Sequence, residues 1–117
     1  MRHRNRKKRL GLPKDHRTAM LRNLVSSLII NERIKTTEAR AKALAARFGR
    51  LMSLVQKKEL REAIRVTPKY LSGNTASKKL ILVLKDKYID RNSGFTRITH
   101  LGARAGDNAK LVQIELV

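Results

Sequence analysis

The sequence predicts an α+β fold built as two layers. The expected order is helix, strand, three helices, two strands, with a small mixed sheet that ends in a C-terminal β-hairpin. Three observations carry this. Apolar side chains recur at helical spacing between about residues 20 and 88. The period changes to two after Asn92-Ser93-Gly94. A glycine-bearing stretch, 102–109, then separates two alternating runs, as a hairpin requires. Residues 1–12 precede the first helix as a basic arm, expected to be disordered, and 13–117 are expected to form a single domain.

Leu12-Pro13 ends the arm. Asp15 as an N-cap, or Pro13 as the first helical residue, opens the first helix. Met20, Leu21, Leu24, Val25, Leu28 and Ile29 make its apolar stripe, and Arg17, Arg22, Asn23 and Ser26 lie opposite. The pattern fades near Asn31. Residues 32–37 are polar around Ile34 and suit a short strand. Thr36 or Thr37 then caps a second helix, and Glu38 suits the positive end of its dipole. Ala41, Leu44, Ala45, Phe48, Leu51, Met52 and Val55 form the clearest helical stripe, with Arg40, Lys42, Arg47 and Arg50 off it. Gly49 interrupts the helix at a cost of about 1 kcal/mol against Ala.

Lys58 to Val66 reads as a short third helix with Leu60, Ala63 and Ile64 inward, stopped by Pro68. Ser72-Gly73-Asn74 is a loop that supplies the next cap. Leu80, Ile81, Val83, Leu84 and Tyr88 suggest a fourth helix to about Asp90. The run from Leu80 to Leu84 alone reads equally as a buried strand; length and the Lys85-Asp86-Lys87 continuation favour helix. Beyond the turn, Thr96, Ile98 and His100 alternate with Arg97, Thr99 and Leu101. Val112, Ile114 and Leu116 then face one way and Gln113 and Glu115 the other. Two such strands make an antiparallel hairpin, and the helices cover one of its faces.

Charge decides the class of partner. The 117 residues hold 28 Lys and Arg against 9 Asp and Glu, a net +19. Residues 1–17 carry Arg2, Arg4, Arg6, Lys7, Lys8, Arg9, Lys14 and Arg17 against Asp15 alone, a net +7, which leaves +12 for the body. A solvated, solubilising tail would explain the arm but not the basic body. Nucleic acid, an anionic membrane surface or an acidic protein can absorb so much charge. Aromatics are 3% of the chain, so phosphate and shape contacts should outweigh base stacking. No cysteine is present, which excludes disulfides, thiol catalysis and Cys-based zinc sites. The longest apolar stretch, Leu24 to Ile30, is far short of the roughly 20 residues that span a bilayer.

Catalytic constellations are missing. His3, His16 and His100 have no metal-ligand spacing. Gly102-Ala103-Arg104-Ala105-Gly106-Asp107 lacks the strand-loop-helix context and the Lys-Ser/Thr ending of a phosphate-binding loop. It reads as a turn shaped by Asp107-Asn108, in which Arg104 and Lys110 can also reach RNA.

Several blocks resemble the bacterial large-subunit ribosomal protein seventeen family. They are Met1-Arg2-His3-Arg4; His16-Arg17 with Ala19-Met20 and Arg22-Asn23-Leu24; Ile34-Lys35-Thr36-Thr37; Gly94-Phe95-Thr96-Arg97-Ile98; Arg104 with Gly106-Asp107 and Ala109; and Ile114-Glu115-Leu116-Val117. Phe95 stands where the family pattern carries Tyr. Residues 57–75 hold no such block, so periodicity alone assigns them.

The resemblance implies the same element order. It also implies a structural role in the large subunit near the polypeptide exit, cytoplasmic localisation, and no enzymatic activity or cofactor. Its expected partners are large-subunit (23S) ribosomal RNA and neighbouring ribosomal proteins, with no membrane and no small-molecule substrate. It transfers an RNA-binding role to Arg2, His3, Arg4, His16, Arg17, Arg22, Lys35, Arg97 and Arg104. The charge pattern adds Arg6, Lys7, Lys8, Arg9, Lys14 and Lys110. The rival readings are a DNA-compacting protein, for which no wedge residue or dimer interface is evident, and a membrane-surface protein, whose apolar helix face is needed here for the core. A small enzyme has no constellation to support it.

Overall fold

The computed structural model describes residues 10–117, so the expected disorder of the arm and its residues Arg2, His3, Arg4, Arg6, Lys7, Lys8 and Arg9 lie outside the described residues. Helix α1 spans Lys14–Asn31. Pro13 occupies the N-cap position rather than the first helical one, and Asp15 sits inside the first turn without capping it. The helix ends where Glu32 turns left-handed at φ 66° and donates its N–H to Leu28 O at 2.8 Å. Leu21, Val25, Leu28 and Ile29 are buried along one side, as their spacing requires.

Ser26 departs from the expected polar face. It is buried, donates Oγ–H to Arg22 O at 2.9 Å, and accepts the Ser72 N–H at 2.8 Å. A residue that reads as solvent-facing on a lone helix is thus the dock for the loop before α4.

Strand β1, Arg33–Thr37, leads directly into α2, Glu38–Lys57, with Thr37 at the N-cap but no side-chain cap hydrogen bond. The α2 stripe is buried as expected, from Ala41 to Val55, with Ala45 partly covered. Helix α3, Leu60–Val66, passes into a 3-10 turn at Thr67–Lys69 that contains Pro68.

The inward face of α3 differs from expectation. Ala63 and Thr67 enter the core, while Leu60 and Ile64 are 56% and 54% exposed. Adjacent helical residues lie about 100° apart, so turning Ala63 inward rotates Ile64 out. The short helix seats its smallest side chains.

Gly73, at φ 81°, precedes the fourth helical stretch, which is α4 at Asn74–Lys79, a π turn at Leu80–Leu84, and α5 at Lys85–Lys87. The helical reading of Leu80 to Leu84 is therefore the right one. The wider π turn shifts the helix phase. Leu80, Leu84 and Tyr88 face the core, whereas Val83, expected inside, is 51% exposed.

Strands β2, Thr96–Ala103, and β3, Lys110–Leu116, form the hairpin. A bulge between His100 and Gly102 carries β2 further into the glycine-bearing stretch than its alternation implied. The sheet order is β1-β3-β2, and both pairings are antiparallel. It is therefore not the mixed sheet expected. β1 and β2 run the same way and would pair in parallel as neighbours, but β3 lies between them. Ile34, Ile114 and Ile98 align across the three strands on the face that α1 and α2 cover. Phe95 packs edge-on against Phe48 and Tyr88, with centroids 6.2 and 5.4 Å apart. Tyr88 then donates its hydroxyl to Val117 O at 2.9 Å, tying the helical layer to the end of the chain.

Candidate nucleic-acid interface

No helix among the described residues covers the second face of the sheet. Alternation along the strands turns Arg33 and Lys35 of β1 outward together with Arg97 and Thr99 of β2 and Gln113 and Glu115 of β3. The register sets them in rows. Arg33 and Arg97 flank Glu115, and Lys35 and Thr99 flank Gln113. Glu115 is the only carboxylate in these rows, and Arg97 Nη1 lies 4.0 Å from its Oε1. A loose, exposed ion pair of this kind contributes little and leaves the guanidinium available.

The hairpin end adjoins this face. Arg104 N–H donates to Ala109 O at 2.8 Å, and Asn108, at φ 55°, returns its N–H to Arg104 O at 3.0 Å. The Arg104 side chain grips Asp107 with two hydrogen bonds, one of them from Nε at 3.0 Å, and Ala109 N–H donates to the same carboxylate at 3.2 Å. Arg104, followed by the Ala109 amide, holds the Asp107 carboxyl at about 2. The grip occupies Nε and Nη2 and leaves Nη1 pointing elsewhere, so Arg104 shapes the turn and still offers donors.

Behind the turn, Lys42 lies 2.9 Å from Glu38, and Lys110 lies 4.0 Å from it. The hydrogen bond from Lys42, aided by Lys110 and His100, keeps the Glu38 carboxyl below its ordinary range. Lys110 itself projects into solvent.

Of the expected residues, Lys35 and Arg97 lie on the open sheet face, whereas Arg104 and Lys110 stand at the hairpin turn, about 20 Å along β2 from Arg97. Lys14 and His16 are exposed at the start of α1 beside Arg17, which donates Nη1–H to Leu12 O at 3.5 Å. At 1.5 Å per residue, Lys14 stands about 25 Å along the helix axis from Asn31 and the strand that follows. Lys14, His16 and Arg17 form a further basic cluster at the start of α1.

Arg22 belongs to none of these groups. Its Nη2 donates to Pro68 O at 3.0 Å and Leu71 O at 3.1 Å, and its Nε is buried without a partner. Arg47 reinforces the same connection. It lies 5.0 Å over the Tyr70 ring and donates to Lys69 O at 3.4 Å, and burial lowers its pKa. On the sequence alone Arg22 groups with the RNA-facing cations and Arg33 does not. The signal for Arg33 was its spacing of two from Lys35 on a strand.

Among the described residues no group of three His, Cys, Asp or Glu could hold a metal, and no helix is long and apolar enough to cross a membrane.

A family model described as ribosomal protein L17 matches residues 20–117. The large ribosomal subunit protein bL17 of Desulforudis audaxviator is 46% identical over 110 residues, covering 94% of this chain and 97% of the relative. The bL17 of Trichlorobacter lovleyi is 42% identical, covering 100% of this chain and 94% of the relative. That of Geotalea daltonii is 43% identical over 117 residues, and there this chain spans 64% of the relative's length.

Proposed function

The chain belongs to the ribosomal protein L17 family, and from that premise we propose that its uncovered sheet face grips the RNA of the large ribosomal subunit. Membership makes it a structural protein of the ribosome, working in translation in the bacterial cytoplasm, and not an enzyme. The carrying observation for the finer reading is the row of outward cations, Arg33, Lys35 and Arg97, on a sheet whose other face is filled by helices.

A sheet face of this kind presents charge on a rigid backbone. Guanidinium groups can bridge phosphate oxygens in pairs, and ammonium groups act as point charges. The RNA partner in this reading is 23S ribosomal RNA, and the hairpin end with Arg104 and Lys110 extends the contact. The Lys14, His16 and Arg17 patch meets RNA at the other end of α1. Residues 13–117 act as the docking body and 1–12 as an arm that threads between RNA helices and locks the body in place, supporting subunit assembly beside neighbouring ribosomal proteins.

Titration of the full chain with 23S ribosomal RNA at increasing KCl tests this. Affinity should fall with a slope of about −0.7 to −0.9 per phosphate neutralised. Lys35→Glu with Arg97→Glu should reduce that slope by about two and weaken binding at least about tenfold. An unchanged slope, or equal affinity for duplex DNA at the same salt, overturns the reading.

A further inference from the structure

The sheet face does not explain the other uncovered surface. Between α3 and the fourth helical stretch runs a groove of about 430 Å³ whose walls include Leu60, Ile64, Pro68, Ile81 and Leu82. Leu82 is 69% exposed, and Leu60 and Ile64 are each more than half exposed. Contiguous aliphatic surface on a chain this charged marks a partner site. We propose that the groove seats an amphipathic segment of a neighbouring protein, with aliphatic side chains against its floor and carboxylates on its rim. This rests on the reading that the chain assembles into the large subunit.

Charge complementarity chooses the occupant. Arg61 and Arg65 stand one residue beyond Leu60 and Ile64 on α3, and Lys78 lines the opposite wall. All three are exposed, and none makes an ion pair among the described residues. The nearby Glu62 is engaged by Lys58 at 3.8 Å. The carboxylates beside the groove, Glu59 and the Lys58-paired Glu62, are outnumbered by Lys58, Arg61, Arg65 and Lys78, so its edge keeps a net positive charge.

Other occupants fit less well. RNA phosphates would lose hydration on an aliphatic floor that offers no aromatic stacking platform. A second copy would bring its own +19 charge and the same cationic rim. Residues 2–9 of this chain are basic or polar throughout and hold no aliphatic side chain to enter the groove.

A photo-crosslinking amino acid placed singly at Ile64 or Leu82, in large subunits assembled with the full chain, reads the neighbour directly. A third position, Arg97, serves as the control for RNA contact. The expected result is adducts from positions 64 and 82 to one protein segment, sequenced and found to alternate aliphatic and acidic residues, with RNA adducts from position 97. In parallel, Leu60→Ser with Ile64→Ser should lower that protein's occupancy in purified subunits by about tenfold while this chain stays at full occupancy. Adducts at 64 and 82 to RNA, to a second copy or to a segment without carboxylates overturn the proposal, and so does an absence of adducts there when position 97 reacts. Absence of the chain from the subunits, or no RNA adduct at 97 with protein adducts at 64 and 82, counts instead against the functional reading beneath it.

Discussion

Arg22 and Arg97 are both cations on regular elements, yet Arg22 turns inward to Pro68 O and Leu71 O while Arg97 meets only a distant Glu115. Burial separates their tasks. Arg22→Ala leaves two carbonyl oxygens without their charged donor and should destabilise the fold by about 1.5–3 kcal/mol, read from urea unfolding. Arg97→Ala should move stability by no more than about 0.5 kcal/mol. Asp107 is a second residue whose surroundings make a testable claim. Its carboxyl is held at about 2 against an ordinary 3.8, chiefly by Arg104. A depressed carboxylate contributes fully above its unfolded value and loses that contribution as pH falls through the folded one. The hairpin turn should therefore keep its structure down to about pH 4 and loosen between about pH 4 and 2. The Ala109 amide chemical shift should follow that titration, and Asp107→Asn should abolish it.

At the scale of elements, the long periodic segments behave as their spacing demands and the short ones do not. In α2 each of the seven stripe positions has six companions to average over, so the stripe faces inward. Gly49 lies within that helix, and a Cβ there would meet nothing within 4 Å. Gly49→Ala should then stabilise the protein by about 0.5–1 kcal/mol, seen as a raised Tm. Helix α3 has seven residues. Its orientation is set by which side chains its neighbours can admit, and they admit Ala63 and Thr67. The π turn at Leu80–Leu84 is equally invisible to a fixed 3.6-residue period, which is why Val83 was expected inside and stands outside.

For the molecule as a whole, the helices fill one face of the sheet and the charge is left on the other. If residues 1–12 act as a locking arm, their removal should leave Tm nearly unchanged, because the one side-chain hydrogen bond to their described part is the 3.5 Å contact from Arg17 to Leu12 O and neither Leu10 nor Leu12 is fully buried. Affinity for 23S ribosomal RNA should drop at the same time, with a shallower salt slope. A lowered Tm would instead make the arm part of the folded body.

Element order, the hairpin, the buried stripes of α1 and α2 and a polyanion as partner were all legible in the residues. Periodicity and charge are local or additive properties, so they survive without coordinates. The strand order was not legible, because alternation marks which residues share a face but not which strand lies beside which. Antiparallel pairing throughout, the row of Arg33 and Arg97 around Glu115, and the withdrawal of Arg22 into the α3–α4 connection all follow from β3 inserting between β1 and β2 and from helices packing over that sheet. These are long-range contacts between segments more than 80 residues apart in sequence, such as Arg33 opposite Glu115, and only the folded chain decides them.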